Sequence, residues 1–105
     1  MDASLFLKEA KRKAKAHGYN EKKLVLANDG IHKLAIPNEK GKLIYFGRKG
    51  YGDHIIYEYL EKRGEVREGL AETKKRTFHR SHSKIRGNWA SNDYSPNNLA
   101  LRILW

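Results

Sequence analysis

Apolar residues return every four positions near the start of the chain, at Phe6, Ala10 and Ala14, with Lys8, Lys11, Arg12, Lys13 and Lys15 between them. A four-residue return keeps side chains on one helical stripe. Residues 4–17 therefore read as an α-helix, with Ser4 as N-cap and Gly18 just past its end. The pattern then changes to short apolar runs: KLVLA at 23–27, IHKLAI at 31–36 and KLIYF at 42–46. Between them lie Asn28-Asp29-Gly30 and Pro37-Asn38-Glu39-Lys40-Gly41, whose residues accept the positive φ angles of tight hairpin turns. Three such strands make an antiparallel meander, which needs a helix over one face to bury its apolar side chains.

Helical spacing resumes after a glycine-rich segment. Asp53 is placed as an N-cap, Ile56 and Leu60 share a stripe with Ile55 and Tyr59 beside it, and Gly64 stops the run. Residues 65–69 form a polar break. A third helix over 70–86 puts Ala71, Phe78, His82 and Ile85 on one face. Ser95-Pro96 then pairs a capping residue with a proline at the first helical position. The tail it opens, with Leu99, Leu101, Ile103, Leu104 and Trp105, is too apolar to stay in water. It is expected to pack on the sheet or to enter a partner. The fold class is α+β: a three-stranded meander flanked by an N-terminal basic helix and two to three C-terminal helices. The 105 residues read as a single domain, with 1–18 as a basic helical arm and 19–105 as the folded core.

Charge adds a partner class to this picture. Lys and Arg outnumber Asp and Glu by 22 to 12, a formal charge of +10, which attracts polyanions. From Lys74 to Arg86 there is no acid, while Lys74, Lys75, Arg76, Arg80, Lys84 and Arg86 crowd the segment. There is no cysteine, which removes disulfides and thiolate metal sites. No apolar run reaches the roughly 20 residues of a membrane span, and the N-terminus lacks a signal-peptide pattern. The expectation is a protein that is not secreted.

The candidate chemistry is mostly subtractive. Gly47, Gly50 and Gly52 around Arg48 and Lys49 suggest a phosphate cradle, but neither the P-loop nor the dinucleotide spacing is present. Asp53 also sets a carboxylate where an anion would sit. His79 and His82 share helical spacing, yet Arg80, Lys84 and Arg86 around them repel a divalent cation, so no metal is expected. Glu58 and Glu61 read as solvent-facing residues, not a paired carboxylate site, and no nucleophile context is recognisable. No enzymatic activity and no cofactor are expected. Aromatic residues beside cations suit nucleic acid better, since cations hold phosphates and exposed rings stack on bases. The residues assigned to polyanion contact are Lys11, Arg12, Lys13, Lys15, Arg48, Lys49, Tyr51, Lys75, Arg76, Arg80, Lys84 and Arg86. Tyr51 is expected to be exposed, whereas Phe46, Phe78 and Trp89 are expected in the core. Leu104 and Trp105 are assigned as a partner anchor.

The order KLIYFGRKGYGDHI, FHRSHSKIRGNW and ALRILW resembles a family of small basic proteins of nucleocytoplasmic large DNA viruses. That family carries an F-G-x-K-G-Y-x-D core, then a basic segment with Arg and His, a tryptophan and a terminal L-W. The matching residues are Phe46, Gly47, Lys49, Gly50, Tyr51, Asp53, Arg80, His82, Trp89, Leu104 and Trp105, within 42–105; Gly52 and His54 depart from the usual polar choices. The resemblance implies a viral protein located in the virion or the infected cell interior. Two roles fit it: binding DNA or RNA with weak sequence specificity, or a minor capsid role bridging larger, acidic virion proteins.

Overall fold

The computed structural model describes residues 1–105, folded as a mixed helix and sheet domain. Helix α1 spans Ala3–Ala16. Its N-cap is Asp2, not Ser4: the Asp2 carboxylate accepts from Leu5 N at 2.7 Å. A carboxylate at this position also meets the positive end of the helix dipole, which a serine hydroxyl does less well. At the other end Gly18 takes φ 84°. Tyr19 N donates to Ala14 O, and Gly18 N to Lys15 O, each at 3.0 Å, a Schellman closure. Ala10 and Ala14 are fully buried, and Phe6 and Leu7 pack beside them. Alanine at the contact lets the helix axis come close to its neighbours. Residues 1–18 are therefore not a free arm; they dock on the chain's own C-terminal segment and on the sheet.

Strands β1 (Val25–Leu26), β2 (Leu34–Pro37) and β3 (Leu43–Phe46) form an antiparallel sheet in the order β1-β2-β3. The pairs Leu34↔Phe46 and Ile36↔Ile44 set the register, with Leu34, Ile36 and Phe46 buried on one face. The first two strands are shorter than their apolar runs. Asp29 is the cause at the first turn: its carboxylate accepts from Ile31 N at 3.0 Å and His32 N at 2.8 Å. Side-chain bonds of this kind draw the backbone out of a tight hairpin and into a wider loop. The second turn forms where expected, with Asn38 Oδ1 accepting from Lys40 N and Lys42 N and Gly41 at φ 81°.

Helix α2 (His54–Lys62) is capped by Asp53, whose carboxylate accepts from Ile56 N at 2.9 Å. Helix α3 covers Leu70–His82. Its N-cap position is Gly69, which has no side chain to offer, and Glu61 of α2 supplies the missing acceptor to Ala71 N at 3.0 Å. Glu61 is thus a structural capping group and not a solvent-facing residue. Helix α3 stops four residues short of the expected Arg86. Ser83 Oγ donates back to His79 O at 2.6 Å and Asn97 Nδ2 donates to His82 O at 3.0 Å, so the last carbonyls are satisfied without another turn. Ile85 consequently lies outside the helix and is exposed.

The tail forms α4 (Pro96–Leu99) and continues as a π-helical turn over Ala100–Leu104. Ser95 caps it by accepting from Asn98 N. Asn98, buried, donates through Nδ2 to the carbonyls of Trp89, Ala90 and Asn92 and so pins the loop before α4. Leu99, Ile103 and Leu104 join Leu24, Leu34, Ile36, Phe46, Ala10 and Ala14 in one core. Of the two placements open to the tail, packing on the sheet is the one found. No helix is long and apolar enough to cross a membrane.

Candidate nucleic-acid interface

The glycine-rich connection from β3 to α2 is held, not loose. Gly47 has φ 73°, and a Cβ there would stand 2.7 Å from Leu104 Cδ1. A Cβ on Gly52 would meet the Tyr57 ring at 2.7 Å. Lys33, from the residue before β2, reaches across to Asp53 Oδ2 at 2.7 Å and to the carbonyl of Tyr51. With the side chains 11% and 1% exposed, this is a buried ion pair. Lys49 N adds a bond to Ile31 O at 2.9 Å. Asp53 thus serves α2 and Lys33 together, so no anion nest opens at this helix start. What reaches solvent is the tip: Arg48, Lys49 and Tyr51, the last 68% exposed as its sequence setting suggested.

Behind that tip lies a groove of about 790 Å³, bounded by β3, the glycine connection, α3 and the C-terminal segment. Its walls are aromatic. Phe78 is stacked on Trp105 with centroids 4.4 Å apart and on His82 at 3.5 Å, with ring planes within 11° in both pairs. Tyr45 and His32, 5.7 Å apart, stand on the sheet side, and Tyr57 lies beside Trp105. The charge is one-sided. Arg48, Lys33 and Lys74 line the groove, and the single acidic side chain there, Asp53, is already neutralised by Lys33. Polar groups remain free: Asn97 uses one amide N–H on His82 O and keeps its carbonyl oxygen. His82 Nδ1 bonds Phe78 O, which leaves Nε2 without a protein partner.

The assigned cations separate into three groups. Arg76, Arg80, Lys84 and Arg86 are exposed, and none of them is in an ion pair; neither are Arg48, Lys49, Lys74, Lys11 or Lys15. Arg12 is exposed but held by Glu9 at 3.1 Å. Lys13 turns inward, between α1 and α2, with half-buried Lys75 of α3 close enough to act on its charge. Lys13 Nζ is buried without a hydrogen-bond partner, and its pKa is pushed down to about 8, first by desolvation and then by Lys75. The polyanion role assigned to Lys13 from sequence is corrected accordingly: its ammonium is covered, so it is not part of an open phosphate surface.

His54 and His79 close the same inner cluster. His54 Nδ1 lies 2.9 Å from Glu58 Oε1 but is not aligned for a hydrogen bond, and burial pushes the imidazole pKa down. His79 Nε2 is buried and unpartnered, so His79 does not belong to the outer basic face. Leu104 and Trp105 are 2% and 9% exposed and serve this chain's own core and groove, which removes the anchor assigned to them. Phe46 is buried as expected, while Phe78 and Trp89 are only half-buried. A second hollow of about 570 Å³ sits on the far side of the tip, with Met1, Phe6, Leu26 and Ile56 in its lining.

Sequence reasoning assigned Arg48 and Tyr51 to this region but passed over Tyr45, Tyr57, Lys74, His82 and Asn97 as site residues. Tyr45 and Lys74 had a local signal, an aromatic next to the cationic tip and a member of the acid-free run. Asn97 had none, because its position depends on how α4 meets the end of α3. No protein-family model, no curated protein and no solved structure matches the chain.

Proposed function

We propose that the chain is a non-enzymatic binding protein for nucleic acid, of large-DNA-virus origin. The reading is carried by one observation: the outer basic residues of α3 and its extension have no acidic partners, and another face of the same helix lines a cation-rimmed aromatic groove. Cations already neutralised within a protein contribute little to a polyanion; these are free to displace counterions from phosphates. The origin rests on the Phe46–Asp53 motif. The rival virion-bridging role loses its C-terminal anchor, since Leu104 and Trp105 are buried.

The test is an electrophoretic or anisotropy titration with DNA and RNA across a salt series. Binding at low salt with a steep log–log salt slope is expected. The double variant Arg76→Glu/Arg80→Glu should weaken binding across sequences and reduce the slope by about 2, one for each phosphate no longer neutralised. Absence of binding at low salt to either nucleic acid overturns the proposal.

A further inference from the structure

The groove differs from a plain basic surface in what its walls offer. Phosphate binding needs only charge, and the outer face of α3 supplies that. Eight aromatic or imidazole rings gathered around a concavity of about 790 Å³ do nothing for a phosphodiester backbone. That volume falls within the roughly 300–1,000 Å³ of sites that enclose small molecules or their fragments. Stacked Trp105, Phe78 and His82 form a short column whose two planar contacts are near parallel. Phe78 is covered on both faces, so the column meets the groove through His82, while Tyr45 faces it from the sheet. A further planar group between these two walls would continue the stack.

We infer that the groove seats an unpaired base of a single-stranded nucleic acid, with Arg48 and Lys74 at the rim holding the adjacent phosphates. This rests on the nucleic-acid reading and names the form of the ligand. Charge selects among planar ligands: the rim is cationic and the one acidic side chain is neutralised by Lys33, which favours an aromatic group attached to an anion. A duplex buries both faces of its bases against neighbours and cannot enter; an unstacked base can. Asn97, with a carbonyl oxygen and one amide N–H free at the wall, can take a donor and an acceptor from a base edge. Such contacts give a mild base preference on top of binding governed by stacking and salt.

The experiment compares a labelled single-stranded oligonucleotide, as RNA and as DNA, with a duplex of the same length. The proteins are the parent chain, Tyr45→Ala, Tyr45→Phe, His82→Ala and Arg76→Glu/Arg80→Glu. Single strands should bind more tightly than duplex, and Tyr45→Ala and His82→Ala should each lose roughly tenfold on single strands with little change on duplex. Tyr45→Phe should keep parent affinity, since it keeps the ring. A readout that leaves the groove untouched uses Trp89→Phe, in which Trp105 is the one tryptophan: single strands should quench its emission and duplex should not. Equal affinity for single strand and duplex, with no quenching and no effect of the groove variants, overturns this inference while loss of both in the Arg76/Arg80 variant keeps the broader function. No binding of any nucleic acid by the parent chain overturns both.

Discussion

Lys13 is the position where the structure makes its sharpest energetic statement. Its ammonium is buried with no hydrogen-bond partner, beside Lys75, and its pKa falls from 10.5 to about 8. A fall of that size corresponds to about 3 kcal/mol against the charged form; allowing for partial screening by solvent leaves about 2 kcal/mol. A group whose folded pKa lies below its unfolded value destabilises the fold fully at pH below both values. The cost shrinks as pH rises between them and is gone above the upper one. Lys13→Met keeps an unbranched stem of similar reach and removes the charge. The variant should therefore gain about 2 kcal/mol at pH 7, a rise in Tm of about 10 °C for a domain of this size. The gain should decay from about pH 8 and vanish near pH 10.5. Urea unfolding at pH 7 and at pH 10.5, parent against variant, reads both numbers. A variant that is less stable at pH 7, or one whose gain does not change with pH, refutes the reasoning. Because Lys13 does not face an open surface, its loss should leave nucleic-acid affinity unchanged, in contrast to a member of a phosphate-binding arm.

The connection between β3 and α2 and the inner histidines give three further tests. Gly47→Ala places a methyl 2.7 Å from Leu104 Cδ1 at φ 73°, and should cost about 2–4 kcal/mol by chemical denaturation. Asp53→Asn keeps an N-cap acceptor for Ile56 N but leaves the Lys33 ammonium buried without its counter-charge; a loss of about 3 kcal/mol is expected, well above that of a cap change alone. For His54, burial lowers the folded pKa below 6.5, so the unfolded chain binds the proton first. Stability should fall as pH drops through 6.5 toward the lowered value, and His54→Phe should flatten that part of the pH–stability profile. An unchanged profile in the variant would show that His54 is not the titrating group.

What could be read along the chain was whatever one segment decides by itself. The Asp53 and Ser95-Pro96 caps, the Gly18 helix end, the Asn38–Gly41 turn and the meander order depend on residues within a few positions of one another, and they formed as expected. The misses have a common physical cause. Asp2 and Ser4 are both competent caps, and the choice between them is a fraction of a kcal/mol. The end of α3 is set by Asn97, fifteen residues away, and the start of α3 by Glu61 across the α2–α3 turn. The inward turn of Lys13 is a matter of which face of a helix meets its neighbours, and α1 carries basic residues on every face except the alanine stripe. Periodicity identified that stripe but could not say how wide a face α2 and α3 would cover.

The same distinction bears on the Phe46–Asp53 segment, whose three glycines and two cations looked like a phosphate loop. Gly47 and Gly52 are required where Leu104 and Tyr57 press against the backbone, and Asp53 is occupied by Ile56 N and Lys33. Gly47, Gly52 and Asp53 make the segment a joint and act on stability. Binding chemistry lies in its exposed tip, at Arg48, and outside it, in Tyr45 and His82 on the groove walls. The two sets should therefore separate by experiment. Gly47→Ala should lower the unfolding midpoint while leaving affinity intact in the fraction that remains folded. Arg48→Gln should do the reverse: an unchanged midpoint, since the side chain makes no ion pair or hydrogen bond, and weaker nucleic-acid binding. Measured side by side by denaturant unfolding and by anisotropy at fixed salt, a loss of stability in Arg48→Gln, or unimpaired binding by it, would collapse this division between joint and interface.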